Sequence, residues 1–327
     1  MKKSTPLIVG AGILAGFAAT SHLAFHRSAP ATLLDGYQRG KRLKSRFAEQ
    51  TGYDQFLRLR AEENERPYEL PRCFRPQNAL THEISQGMDV ISLRPAEARK
   101  LRIVYLHGGA YINRIDSYVW PFLDRIAAKS RATISVPLYP LAPVHGCAEA
   151  FEKLAAYYRD LRARNPRETI VFMGDSAGGA LCLTLAMTLA QAGDEGPAGI
   201  VAFSPWVDAT LANPEILEYE ASDPVLSAYG LSRAAHSWAG ALDRADWRIS
   251  PTNGPLEVLP PTLVFAGVNE IFYPDLDIFR EKLARAGVAY TFVAREGLGH
   301  CWPTYPIPEA LASDKQICAF LDEVAAD

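Results

Sequence analysis

The stretch Val171-Phe172-Met173-Gly174-Asp175-Ser176-Ala177-Gly178-Gly179 constrains this chain more than any other. Thr169 to Met173 is short, apolar and rich in β-branched and large residues, the composition of a buried strand. Leu181 to Ala190 is rich in Leu and Ala and free of Pro, which predicts a buried helix. Between them stands Gly-x-Ser-x-Gly. Turning a strand into a helix in so few residues forces the central Ser into a strained backbone conformation, and only small neighbours let the flanking backbone pass. Such an elbow lifts the Ser176 hydroxyl clear of the sheet. It leaves the Ala177 N–H at a helix N-terminus, facing any oxyanion formed there. The five-residue pattern alone also occurs in ordinary Gly-rich turns. Its weight here comes from the strand before it, the helix after it and the further Gly179.

The elbow sits within a regular alternation. Val90-Leu93, Arg102-Leu106, Thr133-Val136, Gly199-Phe203, Thr262-Ala266 and Tyr290-Ala294 read as strands. Ser117-Lys129, Ala148-Arg164, Asp275-Ala286 and Pro308-Glu323 read as helices. Strands alternating with helices predict an α/β fold, a mostly parallel sheet with helices on both faces. Sites in such sheets lie at the carboxyl ends of the strands, which Ser176, His107, Glu270 and His300 all follow. Before this core, residues 30–65 carry dense charge among apolar residues and predict one or two amphipathic helices. The basic cluster Lys41, Arg42, Lys44 and Arg46 within them suits a solvated face. Arg66 to Gln77, with three prolines, reads as an extended connector, and 208–255 breaks the rhythm with Pro, Asn and short helical pieces.

The N-terminus is unlike the rest. Lys2 and Lys3 precede an apolar run from Pro6, and no Asp, Glu, Lys or Arg follows until Arg27. A basic start and a short apolar run resemble a signal peptide, and extended to Phe25 the run is long enough to span a bilayer. Gly16-Phe17-Ala18 is only a passable cleavage site. Residues 1–27 are therefore expected to be an anchor or signal, with 28–327 one α/β domain, and the protein membrane-associated or exported. A helix packed on the protein's own surface, leaving it cytoplasmic, is the alternative. The charges nearly cancel, 34 Lys+Arg against 37 Asp+Glu, so no nucleic-acid partner is expected. The five cysteines are spread singly, which supports neither a zinc site nor a disulfide framework, and no metal or other cofactor is expected.

A serine hydroxyl is a poor nucleophile at neutral pH and needs a base, which in turn needs an orienting carboxylate. Of the seven His, His300 stands in Glu296-Gly297-Leu298-Gly299-His300, directly after the last expected strand, where a Gly-rich loop can carry an imidazole over the sheet edge. Glu270 and Asp275 follow the Thr262-Ala266 strand. Ser, acid, His is the chain order of an α/β-hydrolase triad. Tyr105-Leu106-His107-Gly108-Gly109-Ala110 also follows a strand, and its small residues let backbone N–H groups turn towards an oxyanion. His107 precedes these glycines, where a loop-bracing hydrogen bond is needed, and is read as structural rather than as the base.

From about residue 100 to 323 the chain resembles the hormone-sensitive-lipase-like group of α/β-hydrolases, serine carboxylesterases and lipases. His107-Gly108-Gly109-Ala110 is similar to that family's His-Gly-Gly-Gly oxyanion motif and Gly174-Asp175-Ser176-Ala177-Gly178-Gly179 to its elbow. Tyr139-Pro140-Leu141-Ala142-Pro143 and Ser204-Pro205-Trp206-Val207-Asp208 resemble further family segments. The resemblance implies Ser176 as nucleophile, His300 as base, oxyanion N–H groups on Gly109, Ala110 and Ala177, and a lid built from 30–65 and 208–250. It implies hydrolysis of small or short-chain carboxylic esters, with a deacetylase, amidase or lysophospholipase, or a non-catalytic small-molecule binding protein, as alternatives. Two departures stand out. Ala110 replaces the third glycine, keeping its N–H but narrowing its backbone freedom. Where the family carries Asp-Pro-Leu-x-Asp this chain reads Glu270-Ile-Phe-Tyr-Pro-Asp275, and Glu270, directly after the strand, is preferred over Asp275, which the dipole of the next helix also explains. Tyr219, Tyr229, Trp238 and Trp247 are expected either to line the substrate pocket or to pack in the core.

Overall fold

Eight strands form one mixed sheet in the computed structural model, which describes residues 5–41, 44 and 50–326. Across the sheet they run β1 (Ala79–Ser85), β2 (Met88–Arg94), β4 (Thr133–Pro137), β3 (Leu101–Leu106), β5 (Thr169–Asp175), β6 (Gly199–Phe203), β7 (Thr262–Gly267) and β8 (Tyr290–Arg295). The pairs β1–β2 and β2–β4 are antiparallel, and every other neighbouring pair is parallel. The expected strands and helices from Met88 onward are all present.

Three helices precede the sheet, α1 (Thr5–Phe25), α2 (Ala29–Gly40) and α3 (Gln50–Asn64). Next come α4 (Val119–Ser130), α5 (Cys147–Arg164) and α6 (Ala177–Gln191), followed, in the stretch expected to form part of a lid, by α7 (Ile216–Ser222) and α8 (Ala228–Ala239). The chain closes with α9 (Tyr273–Arg285) and α10 (Pro308–Val324). Period-two alternation divides each central strand between two apolar layers: Ile170 and Phe172 of β5 face α5, α6 and α9, while Val171 and Met173 face α4 and α10. Because both faces are covered, these strands are unbroken hydrophobic runs. Cys182 is a fully buried member of the first layer.

From β3 the chain steps outward to β4, then returns to β5 on the other side of β3. The direction of winding thus reverses between β3 and β5, and a crevice opens at their carboxyl ends. Leu106 pairs with Gly174 at that point, so the loop after β3 and the Ser176 elbow leave the sheet side by side. They touch backbone to backbone. A Cβ on Gly178 would overlap the Leu106 carbonyl and lie 2.5 Å from that of His107.

Two features differ from the sequence expectation. The sheet begins with β1 rather than at Met88. Thr81, His82, Glu83 and Ile84 are exposed, so this edge strand carries no hydrophobic alternation, and its polar make-up protects the open edge. Gln86 and Gly87, both at positive φ, turn it into β2 by the two-residue route that matches strand twist. The expected spanning anchor finds no support: among the described residues no helix is long and apolar enough to cross a membrane. The turn that follows α1 is instead tied to the domain. Arg27 Nη1 donates to Gly297 O at 3.1 Å and Nη2 pairs with Asp35, while the Ser28 N–H and hydroxyl both donate to Glu309. A boundary between residues 27 and 28 cuts through this junction. Lys2, Lys3, Arg42 and Arg46, which entered the sequence reading, lie outside the described residues.

Gly178→Ala forces a methyl into a backbone contact that cannot yield, and is expected to cost ~1–3 kcal/mol and to lower activity with it. A Cβ at Gly196 meets nothing, so Gly196→Ala should stay within about 0.5 kcal/mol of the parent. Thermal melts of the two variants check this, and equal melting temperatures would contradict the close approach.

Candidate active site

Ser176 sits at φ 54°, ψ −122°, outside the regions that a non-glycine residue normally occupies. Three hydrogen bonds hold it there. Its N–H donates to Phe203 O at 2.8 Å, and its carbonyl accepts from Ala180 N at 3.1 Å and Trp206 N at 3.0 Å. In the loop after β3, Gly109, Ala110 and Tyr111 all have positive φ, at 116°, 54° and 62°. Ala110 therefore takes a left-handed conformation that its Cβ disfavours. The strain is contained by Ile112 and Asn113, whose N–H groups close on Gly109 O, and by the Tyr111 ring, stacked on Trp238 at 4.3 Å and on Trp206 at 5.7 Å. Among the described residues the backbone N–H groups of Gly109, Ala110 and Ala177 donate to no acceptor.

Asp175 and Tyr105 escaped the sequence reasoning. The buried Asp175 Oδ1 accepts the Tyr105 O–H at 2.5 Å and the Gly108 N–H at 2.8 Å, fastening the loop to the elbow one residue before the unpaired N–H groups begin. Burial pushes the Asp175 carboxyl upward, against the hydrogen bonds from Tyr105 and Gly108 and the pull of His300. The signal was available: an acidic residue closing a fully apolar strand must find donors nearby. His107 braces the loop as expected. Its buried ring donates from Nδ1 to Gly108 O at 2.7 Å, stacks on Tyr139 at 4.6 Å, and is driven by burial down to a pKa of about 4.

Glu270 is fully buried and both its oxygens are used. Oε1 accepts the Gly267 N–H at 2.8 Å, and Oε2 accepts the His300 Nδ1–H at 2.5 Å. That bond fixes the imidazole tautomer and leaves Nε2 as the ring's proton acceptor. Burial lowers the His300 pKa, but the hydrogen bond and charge of Glu270, with Asp223 and Asp175 adding, outweigh it and raise the ring above its ordinary value. The histidine loop and the elbow hang from one strand end: Phe203 O accepts both the Ser176 N–H and the Cys301 S–H, and Ser204 Oγ accepts the Cys301 N–H at 2.9 Å. Asp275 lies elsewhere. It starts α9, accepts from Asn213 Nδ2 at 2.9 Å, and burial raises it to about 6.

A cavity of about 760 Å³ opens beside Ala110, walled by α3 (Tyr53, Phe56), the loop to Asp116, and the lid (Leu226, Leu231). The four lid aromatics singled out from sequence do not line it. Trp238 is buried against Tyr111, and Tyr219 packs on Tyr273 at 5.8 Å, while the apolar wall comes from α3 and from the aliphatic Leu226 and Leu231. Among the described residues no group of three or more His, Cys, Asp or Glu side chains converges as a metal site would require.

Residues 103–304 match the model of the α/β-hydrolase fold family. The chain belongs to this family, in its hormone-sensitive-lipase-like group. It is 32% identical over 258 residues to the carboxylesterase/phospholipase LipF of Mycobacterium tuberculosis, covering 76% of this chain and 69% of that protein. With an esterase of Acinetobacter venetianus it shares 29% identity over 229 residues, covering 69% and 76% of the two. Its structure superposes with a TM-score of 0.73 on a hormone-sensitive lipase from a metagenome library, at 27% identity over 84% of this chain and 98% of the other.

The geometry separates the two carboxylates. Glu270→Gln replaces an acceptor of the imidazole N–H by a group that can hold the wrong tautomer, and kcat for ester hydrolysis is expected to fall roughly 10³–10⁴-fold. Asp275→Asn should stay within a few-fold of the parent. Steady-state kinetics on both variants decide, and the reverse ranking would place the acid at Asp275.

Proposed function

We propose that this carboxylic ester hydrolase works through an acyl-serine intermediate on Ser176. Ser176 Oγ attacks the ester carbonyl carbon while His300 Nε2 takes its proton. Glu270 holds the ring's Nδ1–H and steadies the imidazolium. The carbonyl oxygen, now an oxyanion, is received by the N–H groups of Gly109, Ala110 and Ala177. When the tetrahedral intermediate collapses, the alcohol leaves with the proton from His300. Water, deprotonated by the same nitrogen, then releases the acid and restores Ser176. One observation carries the reading: a fully buried glutamate with both oxygens bonded, one of them to an imidazole whose loop shares the Phe203 carbonyl with the nucleophilic elbow. Small or short-chain esters suit the cavity. Its apolar wall is interrupted by Arg60, Glu63, Arg114 and Asp116, which a long acyl chain would have to strip of water.

Ser176→Ala is expected to lower kcat by roughly 10⁴–10⁶-fold with the melting temperature preserved, on p-nitrophenyl acetate and butyrate. A fluorophosphonate should label the parent at Ser176 alone. Assays of p-nitrophenyl esters of increasing length, beside a matched amide and a lysophospholipid, fix the substrate class. Full activity in the variant, or a label on another serine, would overturn the mechanism.

The N-terminal segment supports a second, separate reading, association with a lipid surface. Leu14, Leu23 and Phe25 of α1 are exposed, on a run free of charge from Ser4 to His26. Cells expressing the full chain and a version starting at His26, which keeps the Arg27 and Ser28 contacts, are fractionated without detergent. The full chain should sediment with membranes and the shorter one should not; a full chain with intact Met1 that stays in the supernatant would contradict it.

A further inference from the structure

Asp223 closes the lid helix α7 and is almost wholly buried, far from any strand end that a triad search would scan. Its Oδ1 accepts the N–H groups of Val225 at 2.8 Å and Leu226 at 2.9 Å. These two residues wall the large cavity, and the chain then enters α8 through the Ser227 cap. Its Oδ2 reaches across the molecule and accepts the Ile271 N–H at 3.1 Å. Ile271 follows Glu270 directly, and Glu270 carries His300. Pro224, the next residue, borders the small space beside His300 and the loop at Gly299. One carboxyl group thus bonds the cavity wall on one side and the turn that carries Glu270 on the other.

An ordinary cap does not need this. Ser, Thr or Asn would accept the two local N–H groups equally well. Only a group with two acceptor oxygens can hold the turn and Ile271 together, and only a carboxylate places charge there. Glu270, from the turn after β7, bonds the His300 ring, Asp223 and Asp175 act on it through their charge, and the Phe272 ring meets it edge-on. Lys44 feels the charge of Asp223 and its ammonium bonds Glu220 O, while Arg39 of α2 bonds Ser222 O, so both side chains grip the same turn.

We infer that Asp223 is a positioning residue for the triad, tying the lid wall at Val225 and Leu226 to the Glu270 turn so that lid placement is felt at His300. The inference rests on the Ser176–His300–Glu270 reading above. Its charge adds to the basicity of the ring, whose pKa already stands above the usual 6.5. The base must be neutral to work, so the acid limb of kcat/KM reports this ionisation and should lie above pH 6.5 in the parent enzyme.

The test compares the full chain with Asp223→Asn and Asp223→Glu on p-nitrophenyl acetate and butyrate, recording kcat, KM, the pH profile and the melting temperature. Asn keeps one oxygen for Val225 and Leu226 but turns an amide N–H₂ on Ile271 and removes the charge. The expected result is a fall in kcat of roughly tenfold or more and an acid limb moved to lower pH by about 0.5–1 unit. Glu keeps the charge but displaces it, so kcat should fall while the limb stays near the parent's position. An Asn variant with parental kcat and an unmoved limb overturns the inference, whatever its melting temperature. Should the Asn variant fail to fold, a Glu variant with parental kcat overturns it equally. Ser176→Ala run alongside separates the levels: if it too retains activity the triad reading itself fails, whereas an inactive Ser176→Ala beside an unaltered Asp223→Asn removes only the role of Asp223.

Discussion

Two backbone segments that leave the sheet at its winding reversal are pressed together until no side chain fits between them, and the rest of the site hangs on that contact. Gly178 lies against Leu106 O and His107 O, and a Cβ at Gly108 would sit 2.8 Å from the Asp175 carbonyl. Asp175 then bolts the pair with one oxygen shared between Tyr105 and Gly108. Once the elbow and the loop are fixed to each other, the unpaired N–H groups of Gly109, Ala110 and Ala177 are carried on the two segments that meet there, as the proposed oxyanion site requires. Backbone contacts of this kind do not adjust as side chains do, so the donors are in place before any charge develops, which is what makes such donors effective. The left-handed Ala110 is tolerated for the same reason: Tyr111 stacked between two tryptophans leaves the loop no relaxed alternative.

A second constraint is electrostatic. Three buried carboxyl groups, Asp175, Asp223 and Glu270, act on one imidazole, and burial of charge is costly unless donors meet it. Each is met largely by backbone N–H groups: Gly108 for Asp175, Gly267 for Glu270, and Val225, Leu226 and Ile271 for Asp223. These donors belong to three segments, the loop after β3, the end of β7 with its turn, and the stretch after α7. The carboxylates therefore act as cross-links between the elbow, the oxyanion loop, the acid turn and the lid, as well as raising the basicity of His300.

Much of this was legible in the residues because the signals are local. The strand–Gly-x-Ser-x-Gly–helix run declares its own geometry, the buried central strands announce themselves as unbroken apolar runs, and the Gly-rich turn around His300 marks a loop over the sheet edge. The preference for Glu270 over Asp275 followed from its place directly after β7, and the structure gives Glu270 the imidazole. What stayed hidden depends on partners distant in sequence. The edge strand β1 is polar because its flank faces water, so alternation could not reveal it. That residues 30–65 cover the pocket came only from the resemblance, because an amphipathic face does not say which cavity it walls until the helix is docked. Asp223 and Ile271 stand 48 residues apart, and nothing in either neighbourhood marks the bond between them.

The proposed mechanism turns on a covalent acyl group at Ser176, and that species can be weighed. The enzyme is mixed with excess p-nitrophenyl butyrate, quenched in acid within the first turnovers, and analysed by intact mass and peptide mapping. The expected result is a fraction of the protein heavier by one butyryl group, carried by the peptide containing Ser176 and absent from the Ser176→Ala variant. Rapid turnover with no acyl adduct at any quench time, or an adduct on a different residue, would contradict it.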